Sequence, residues 1–195
     1  VVEDLPEVSF NGNILFGCEP LTVTFTNTST TSSSLTDCIW DIEGADLIND
    51  CGSITYTFEN GGTYDVTLTT TSINGCTNSV TYTDYIYVED LPVASFEASS
   101  TELINIDTEV EFTNTSTGAV TYLWDFGDLS ASSTEENPVH MYPDENSGSY
   151  SVQMVAYSPL GCTDTAWLVI NVTEDLIFYV PNTFTPDRDR HNNDF

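Results

Sequence analysis

The side chains able to do chemistry here are of three kinds: five cysteines, two histidines and a large excess of carboxylates. Cys18, Cys38, Cys51, Cys76 and Cys162 lie beside turns in a Thr- and Ser-rich chain, a usage that points to disulfides in an oxidising compartment rather than to metal binding. His140 could act as an acid or base only beside a nucleophile and an orienting acid, and no sequence feature supplies either, so packing and hydrogen bonding is its preferred role. His191 falls in the terminal stretch and is expected in solvent. Among the carboxylates, Glu89-Asp90 and Glu174-Asp175 stand where two domains would meet, so their oxygens could converge on Ca²⁺. Asp187, Asp189, Asn193 and Asp194 have a spacing reminiscent of a calcium loop, without an EF-hand pattern, and Arg188 and Arg190 would compete with a cation there. No cofactor is expected beyond that candidate Ca²⁺, and most carboxylates are expected on solvated faces.

The charge decides which partners are excluded. Two Lys+Arg face 31 Asp+Glu, for a formal net charge of -29. Such a surface repels phosphate backbones and anionic membranes, so nucleic acid is not a partner. With 39% hydrophobic residues and strong aromatic alternation, the chain is expected to fold rather than to stay disordered. No stretch approaches the apolar length of a membrane span and no signal peptide is visible, which fits a processed segment of a longer precursor.

The elements that must position these residues occur twice. Phe25-Thr-Asn-Thr-Ser-Thr30 returns letter for letter as Phe112-Thr-Asn-Thr-Ser-Thr117, and Asn74-Gly-Cys-Thr77 is echoed by Leu160-Gly-Cys-Thr163. Val2-Glu-Asp-Leu-Pro6 returns as Val88-Glu-Asp-Leu-Pro92 and, more loosely, as Thr173-Glu-Asp-Leu176. The spacing is that of a small β-sandwich. Because Val1–Pro6 reads as the tail of a linker, a further domain is expected to precede it.

Within each unit the apolar residues alternate with polar ones, the period of half-buried strands. In the first, strands are expected at Val8–Phe10, around Leu21, Val23 and Phe25, around Cys38, Trp40 and Ile42, at Ile54–Phe58, around Tyr64, Val66 and Leu68, and from Thr77 to Val88. Gly61-Gly62 and Asn74-Gly75 give tight turns. Ala45–Ser53 reads as an insertion absent from the second unit. There, strands are expected at Val93–Phe96, around Val110 and Phe112, at Tyr122–Phe126, at Pro138–Tyr142, around Tyr150, Val152 and Met154, and around Leu168, Ile170 and Val172. Trp40 and Trp124 share the phase of the core aromatics, so core packing is preferred to a carbohydrate platform. Trp167 is out of phase with Leu168 and Ile170 and is the better candidate for an outward contact.

Trp124-Asp-Phe-Gly-Asp128, followed by Pro138-Val-His-Met-Tyr142 and Gly148-Ser-Tyr150, resembles a PKD domain. That resemblance implies an Ig-like fold of two packed sheets, extracellular use as a spacer or adhesive module, and a structural His140 on a strand beside Tyr142. Leu129 replaces the glycine usual after Gly-Asp, and in the first unit Ile42-Glu43-Gly44 stands where Phe-Gly-Asp is expected. The chain is therefore expected to be all-β: a linker (1–6), a first sandwich (7–88), a linker (89–92), a second sandwich (93–173), and a linker with the first residues of a further domain (174–195).

That final stretch resembles the opening of the C-terminal sorting domain on type IX secretion substrates of the gliding-adhesin kind. Pro181, Asn182, Phe184, Thr185 and Pro186 carry the resemblance, while Arg188 and Arg190 occupy two glycine places. It implies export by the type IX machinery, outer-membrane attachment proteins as partners, and a place on the bacterial cell surface. Phe178–Phe195 is expected to begin a separate β-domain that packs poorly on the second sandwich. Asp164-Thr165-Ala166 matches the O-glycosylation site of such bacteria, with Thr165 as the candidate acceptor. The N-x-S/T triplets at Asn27, Asn114 and Asn171 mean little in a bacterial protein.

Strand order in an Ig-like sandwich then yields a disulfide map. Successive strands run antiparallel, so turns alternate between the leading end, where the chain enters a unit, and the trailing end, where it leaves. Cys38 and Cys51 both fall at the leading end, and a bond between them would contribute ~3 kcal/mol for a loop of that size. Cys18 falls at the trailing end and Cys76 at the leading end of the same unit, too far apart for Cα atoms that must approach within about 4.4–6.8 Å. Cys162, the equivalent of Cys76, faces the trailing end of the first unit. The expected bonds are Cys38–Cys51 and Cys18–Cys162, with Cys76 left for a cysteine of a preceding domain and Asn105 at the place of Cys18 in the second unit.

Taken together these features suggest a non-catalytic stalk segment of a gliding-type adhesin, with neighbouring PKD-like domains as its contacts and an unidentified distal ligand. The rival reading is accessory PKD modules of a secreted hydrolase. A lectin would need an exposed aromatic cluster, and only Trp167 hints at one.

Overall fold

The structure, a computed structural model, describes residues 5–143 and 147–174. Two all-β units follow one another. In the first, β1 (Phe10–Gly12), β3 (Leu21–Asn27) and β6 (Ser53–Phe58) form one sheet in the order β1-β3-β6. The facing sheet runs β2-β8-β7-β4-β5, from β2 (Phe16–Cys18), β8 (Thr77–Glu89), β7 (Gly62–Ser72), β4 (Leu35–Ile42) and β5 (Ile48–Asn49).

The second unit repeats the plan. Its sheets are β13-β11-β9, from β13 (Val139–Met141), β11 (Glu109–Asn114) and β9 (Phe96–Ala98), and β10-β15-β14-β12, from β10 (Glu102–Ile104), β15 (Thr163–Thr173), β14 (Gly148–Tyr157) and β12 (Thr121–Asp125). In both units a short strand joins the last one in parallel, β2 on β8 and β10 on β15, while the other ladders are antiparallel.

Alternation builds the core as expected. Val23, Phe25, Trp40, Phe58, Val66, Leu68 and Ile86 point between the sheets of the first unit, and Phe112, Trp124, Phe126, Tyr142, Met154 and Ile170 between those of the second. Trp40 and Trp124 are fully buried, and each is met edge-on by the first phenylalanine of its unit, Phe10–Trp40 at 5.2 Å and Phe96–Trp124 at 4.9 Å. Pairs of this kind are worth about 0.5–1.5 kcal/mol beyond the area they bury. A carbohydrate platform at Trp40 or Trp124 is thereby ruled out.

Two expectations need correction. The first strand of each unit begins at its phenylalanine instead of ending there. The ladder onto β3 opens with Phe10 opposite Asn27, and that of β9 with Phe96 opposite Asn114. The segments before them hold by single bridges, Glu7 to Thr30 and Val93 to Thr117.

The Ala45–Ser53 segment is also no private insertion of the first unit. It contains β5, and the second unit has a counterpart that bridges Trp124 to Ser133. The shared cause is the buried indole N–H, which needs an acceptor. Trp40 Nε1 donates to Asp50 O and Trp124 Nε1 to Glu135 O, both at 2.9 Å. The two loops differ in sequence because only their backbones are used.

The letter-for-letter repeat has a physical cause too. Asn27 Oδ1 accepts from Ser29 N, and Ser29 Oγ accepts from Ser9 N while donating to Ser9 O. Asn114, Ser116 and Ser95 make the same set. The Asn-Thr-Ser triplets staple each unit's first segment to the end of its third strand, which requires an amide and a hydroxyl at those positions.

Candidate functional site

The junction between the units holds the densest set of chemistry-bearing residues. Cys18, in parallel register with Glu89, is bonded to Cys162 of the second unit with a Cα–Cα distance of 5.6 Å. Glu89 reaches across the same boundary. Its Oε2 accepts from Ser158 Oγ at 2.5 Å and from Leu160 N at 2.8 Å, and lies 3.4 Å from the Cys162 sulfur. Glu19, next to Cys18, accepts from Gly61 N and Leu91 N, and Ala94 N donates to Asp164 Oδ2. The linker is thus tied on both sides by carboxylates that accept backbone N–H groups. Gly61 is required where it stands: a Cβ there would lie 2.8 Å from Asp90 N.

At Glu89 and Asp90, the candidate calcium ligands of the linker, the geometry shows a different use. Glu89 Oε2 is engaged by the second unit's hairpin, and among the described residues no group of three His, Cys, Asp or Glu side chains could hold a metal ion. Glu89 as a clamp between units was not foreseen. The signal lay in two motifs repeating together, Glu-Asp-Leu-Pro in the linkers and Gly-Cys-Thr in the hairpins. Asp187, Asp189, Asn193 and Asp194, together with Pro181, Asn182, Phe184, Thr185 and Pro186, lie outside the described residues.

The second disulfide, Cys38–Cys51, joins β4 to the loop over Trp40 with a Cα–Cα distance of 4.8 Å, and Asn27 Nδ2 donates to Cys51 O beside it. Cys76 is a free thiol, half-buried. The residue standing in the place of Cys18 in the second unit is Ile104 and not Asn105: Cys18 pairs with Glu89 as Ile104 pairs with Thr173. The connection from Phe96 to Phe112 is one residue longer than that from Phe10 to Phe25, and the extra residue falls in the turn after Ile104. Thr165 is the third residue of β15, half-buried, with its neighbour Asp164 bonded to Ala94 N. Trp167 points outward and is 61% exposed.

His140 is held on three sides. Its ring stacks on Phe126 at 3.9 Å, meets Tyr142 edge-on at 4.8 Å, and its Nε2 stands 2.8 Å from Asp128 Oδ2. Burial alone would push the Asp128 carboxyl up, but hydrogen bonds from Ser130 and His140 outweigh it and hold it below the usual range. Burial, with Asp128 and Tyr150 adding to it, pushes the Tyr142 phenol far up. The Ser130 hydroxyl is bonded to Asp128 and not to His140. A relay needs the base between nucleophile and acid, whereas here the acid stands between the other two. The arrangement fixes a turn.

The PKD domain family matches residues 5–88 and 90–172. The chain belongs to the PKD domain family. Among solved structures, the PKD1 domain of the Vibrio cholerae metalloprotease PrtV is 38% identical, over 42% of this chain and 96% of that one, with a TM-score of 0.35. The PKD1 domain of Vibrio anguillarum Epp is 30% identical, over 44% and 96%, with a TM-score of 0.36. A carbohydrate-binding module of the β-sandwich superfamily matches at 17% identity over 80% and 56%, with a TM-score of 0.45. No curated protein matches. PKD domains are commonly non-catalytic spacer or binding modules, and disulfide-bonded ones are typical of extracellular proteins.

Proposed function

We propose that this tandem PKD pair is a stalk segment of a bacterial cell-surface adhesin exported by type IX secretion, gliding-related, which holds a distal binding region away from the cell. The observation that supports the reading most is the junction: a disulfide and a two-bond carboxylate clamp tie the two sandwiches together. A spacer gains reach from stiff joints between modules, since a flexible joint lets the string collapse. The acidic surface keeps such strings apart when they are crowded. Export, outer-membrane attachment and the distal ligand rest on the resemblance of the terminal stretch.

The experiment is made on cells. An antibody against residues 5–174 is expected to label intact cells, and excising the two units from the gene is expected to shorten surface fibres and weaken adhesion while export continues. A parent protein that hydrolyses peptide or glycan, with a rate that falls on excision, overturns the stalk reading in favour of accessory modules of a secreted hydrolase.

A further inference from the structure

The hairpin that receives the first unit exists twice. In the second unit, Ser158 N donates to Cys162 O, Gly161 N to Ser158 O, and Cys162 N to Ser158 Oγ. In the first, Ser72 N donates to Cys76 O, Gly75 N to Ser72 O, and Cys76 N to Ser72 Oγ. Ser72 and Ser158 are both buried, and Gly75 and Gly161 share the left-handed conformation, at φ +83° and +86°. These are the same structure, with serine, glycine and cysteine at the same three places.

Only one of the two is filled by the described residues. In the second unit the Ser158 hydroxyl and the Leu160 N–H both donate to Glu89, and the Cys162 sulfur is bonded to Cys18. In the first unit the matching groups are the Ser72 hydroxyl, the Asn74 N–H and the Cys76 thiol. Cys76 is unbonded, and Ser72 Oγ accepts from Cys76 N with no acceptor for its own proton among the described residues. A buried hydroxyl with an unused proton calls for an acceptor, and its twin already has a carboxylate.

We propose that the Ser72–Cys76 hairpin is a socket for the trailing end of another unit of this kind, one with a cysteine in the place of Cys18 and a glutamate in that of Glu89, and that Cys76 locks it by a disulfide. The linker sequence supports this occupant, because Val2-Glu-Asp-Leu-Pro6 repeats Val88-Glu-Asp-Leu-Pro92 and sets a glutamate at the matching place. A second copy of this chain does not fit. Its second unit carries Ile104 and Thr173 at the two places, and its Cys18 is already bonded. The socket is therefore directional and accepts only a preceding unit.

Locking is thiol–disulfide exchange with a small disulfide oxidant such as oxidised glutathione. The incoming cysteine first forms a mixed disulfide with the oxidant and releases one of its thiols. The Cys76 thiolate then attacks the protein sulfur of that mixed disulfide, the interunit S–S bond forms, and the second oxidant thiol leaves. Two protein thiols give up two electrons and two protons to the oxidant.

The proposal rests on the stalk reading only in taking units as stackable, and that reading is tested on cells, so the two fail separately. The chain is extended at its N-terminus by a second copy of residues 7–88 joined through the native linker, oxidised in a glutathione buffer and mapped without reduction. A bond from the added copy's Cys18 to Cys76 is expected, with loss of Cys76 alkylation and with Cys18–Cys162 unchanged. Cys76 as open to alkylation as in the unextended chain overturns the proposal.

A second test needs no added unit. The Ile104→Cys, Thr173→Glu variant puts both groups on the trailing end of the second unit, and is oxidised at protein concentrations on the order of the mM that a short tether supplies. Head-to-tail chains linking position 104 to Cys76 are expected. Linkage of position 104 to itself, or none, overturns the proposal.

Discussion

His140 Nε2 stands 2.8 Å from Asp128 Oδ2 while the imidazole lies flat on Phe126, with 2° between the rings. Asp128 follows the Gly127 turn after β12 and His140 is the centre of β13, so one contact joins the two sheets of the second unit. Because the folded carboxyl titrates below its ordinary value of 3.8, Asp128 contributes stability that is fully present above that value and lost as pH falls through the folded one. Asp128→Asn is expected to cost about 1–3 kcal/mol at neutral pH and to reduce the loss of stability below pH 3.8. Urea unfolding at stepped pH checks both, and an unchanged acid slope contradicts the assignment.

The glycines after the two tryptophan strands are expected to differ. Gly127 has φ +78°, and a Cβ there would lie 2.5 Å from Ser151 O, whereas Gly44, at φ +82°, has open space. Gly127→Ala combines a left-handed backbone with a clash against β14 and is expected to cost roughly 3 kcal/mol or more, against ~1 kcal/mol for Gly44→Ala. Leu129 is the converse case, fully exposed with φ +68°. Leu129→Gly is expected to stabilise the second unit by about 0.5–1 kcal/mol, since no packing is lost and the strain is relieved. Thermal denaturation of the three variants ranks them.

The two disulfides act at different levels. Cys38–Cys51 closes a short loop inside the first unit, so Cys38→Ala, Cys51→Ala is expected to lower that unit's stability by about 3 kcal/mol and to leave the second untouched. Calorimetry is expected to show two transitions, only one of them shifted. A shift in both would mean that the units do not unfold separately.

Glu89 and the Cys18–Cys162 bond act in parallel on the joint. With the bond intact, Glu89→Ala is expected to leave interunit geometry unchanged. In a Cys18→Ser, Cys162→Ser background the same change removes two hydrogen bonds to a carboxylate, a loss of about 1–3 kcal/mol of coupling, and frees the units. Residual dipolar couplings are expected to show one alignment tensor for the chain in the first case and two in the second. Two tensors in the native chain would contradict the clamp.

Most of the architecture was legible because its cause is local. A strand with one buried face writes itself as alternation, and the two tryptophans declared which face. What stayed hidden was written in backbone or across the boundary. The loops over Trp40 and Trp124 share no side chain because Asp50 and Glu135 contribute only carbonyl groups, so one of them read as an insertion. Glu89 read as a calcium ligand because an acidic pair at a linker states its charge and not its neighbours. The cysteine pairs were open to reasoning because strand direction assigns each turn to an end of the sandwich. Ile104 was displaced by one position because a lengthened turn leaves no mark on the pattern around it.

The Cys18–Cys162 bond also decides which part of the molecule feels tension. A pull on the two chain ends enters the first unit at Cys18, crosses one S–S bond and leaves through β15, so everything between those residues lies on a closed loop off the line of force. Under load β1, β2 and β15 are placed to peel, and β1 on β3 and β2 on β8 are each held by a three-residue ladder. With that one bond reduced, unfolding of both units would draw out the 144-residue separation to roughly 450 Å at about 3.3–3.6 Å per residue, the 13-residue Cys38–Cys51 loop staying closed. The bond therefore makes the pair nearly inextensible when oxidised and a long molecular tether when reduced.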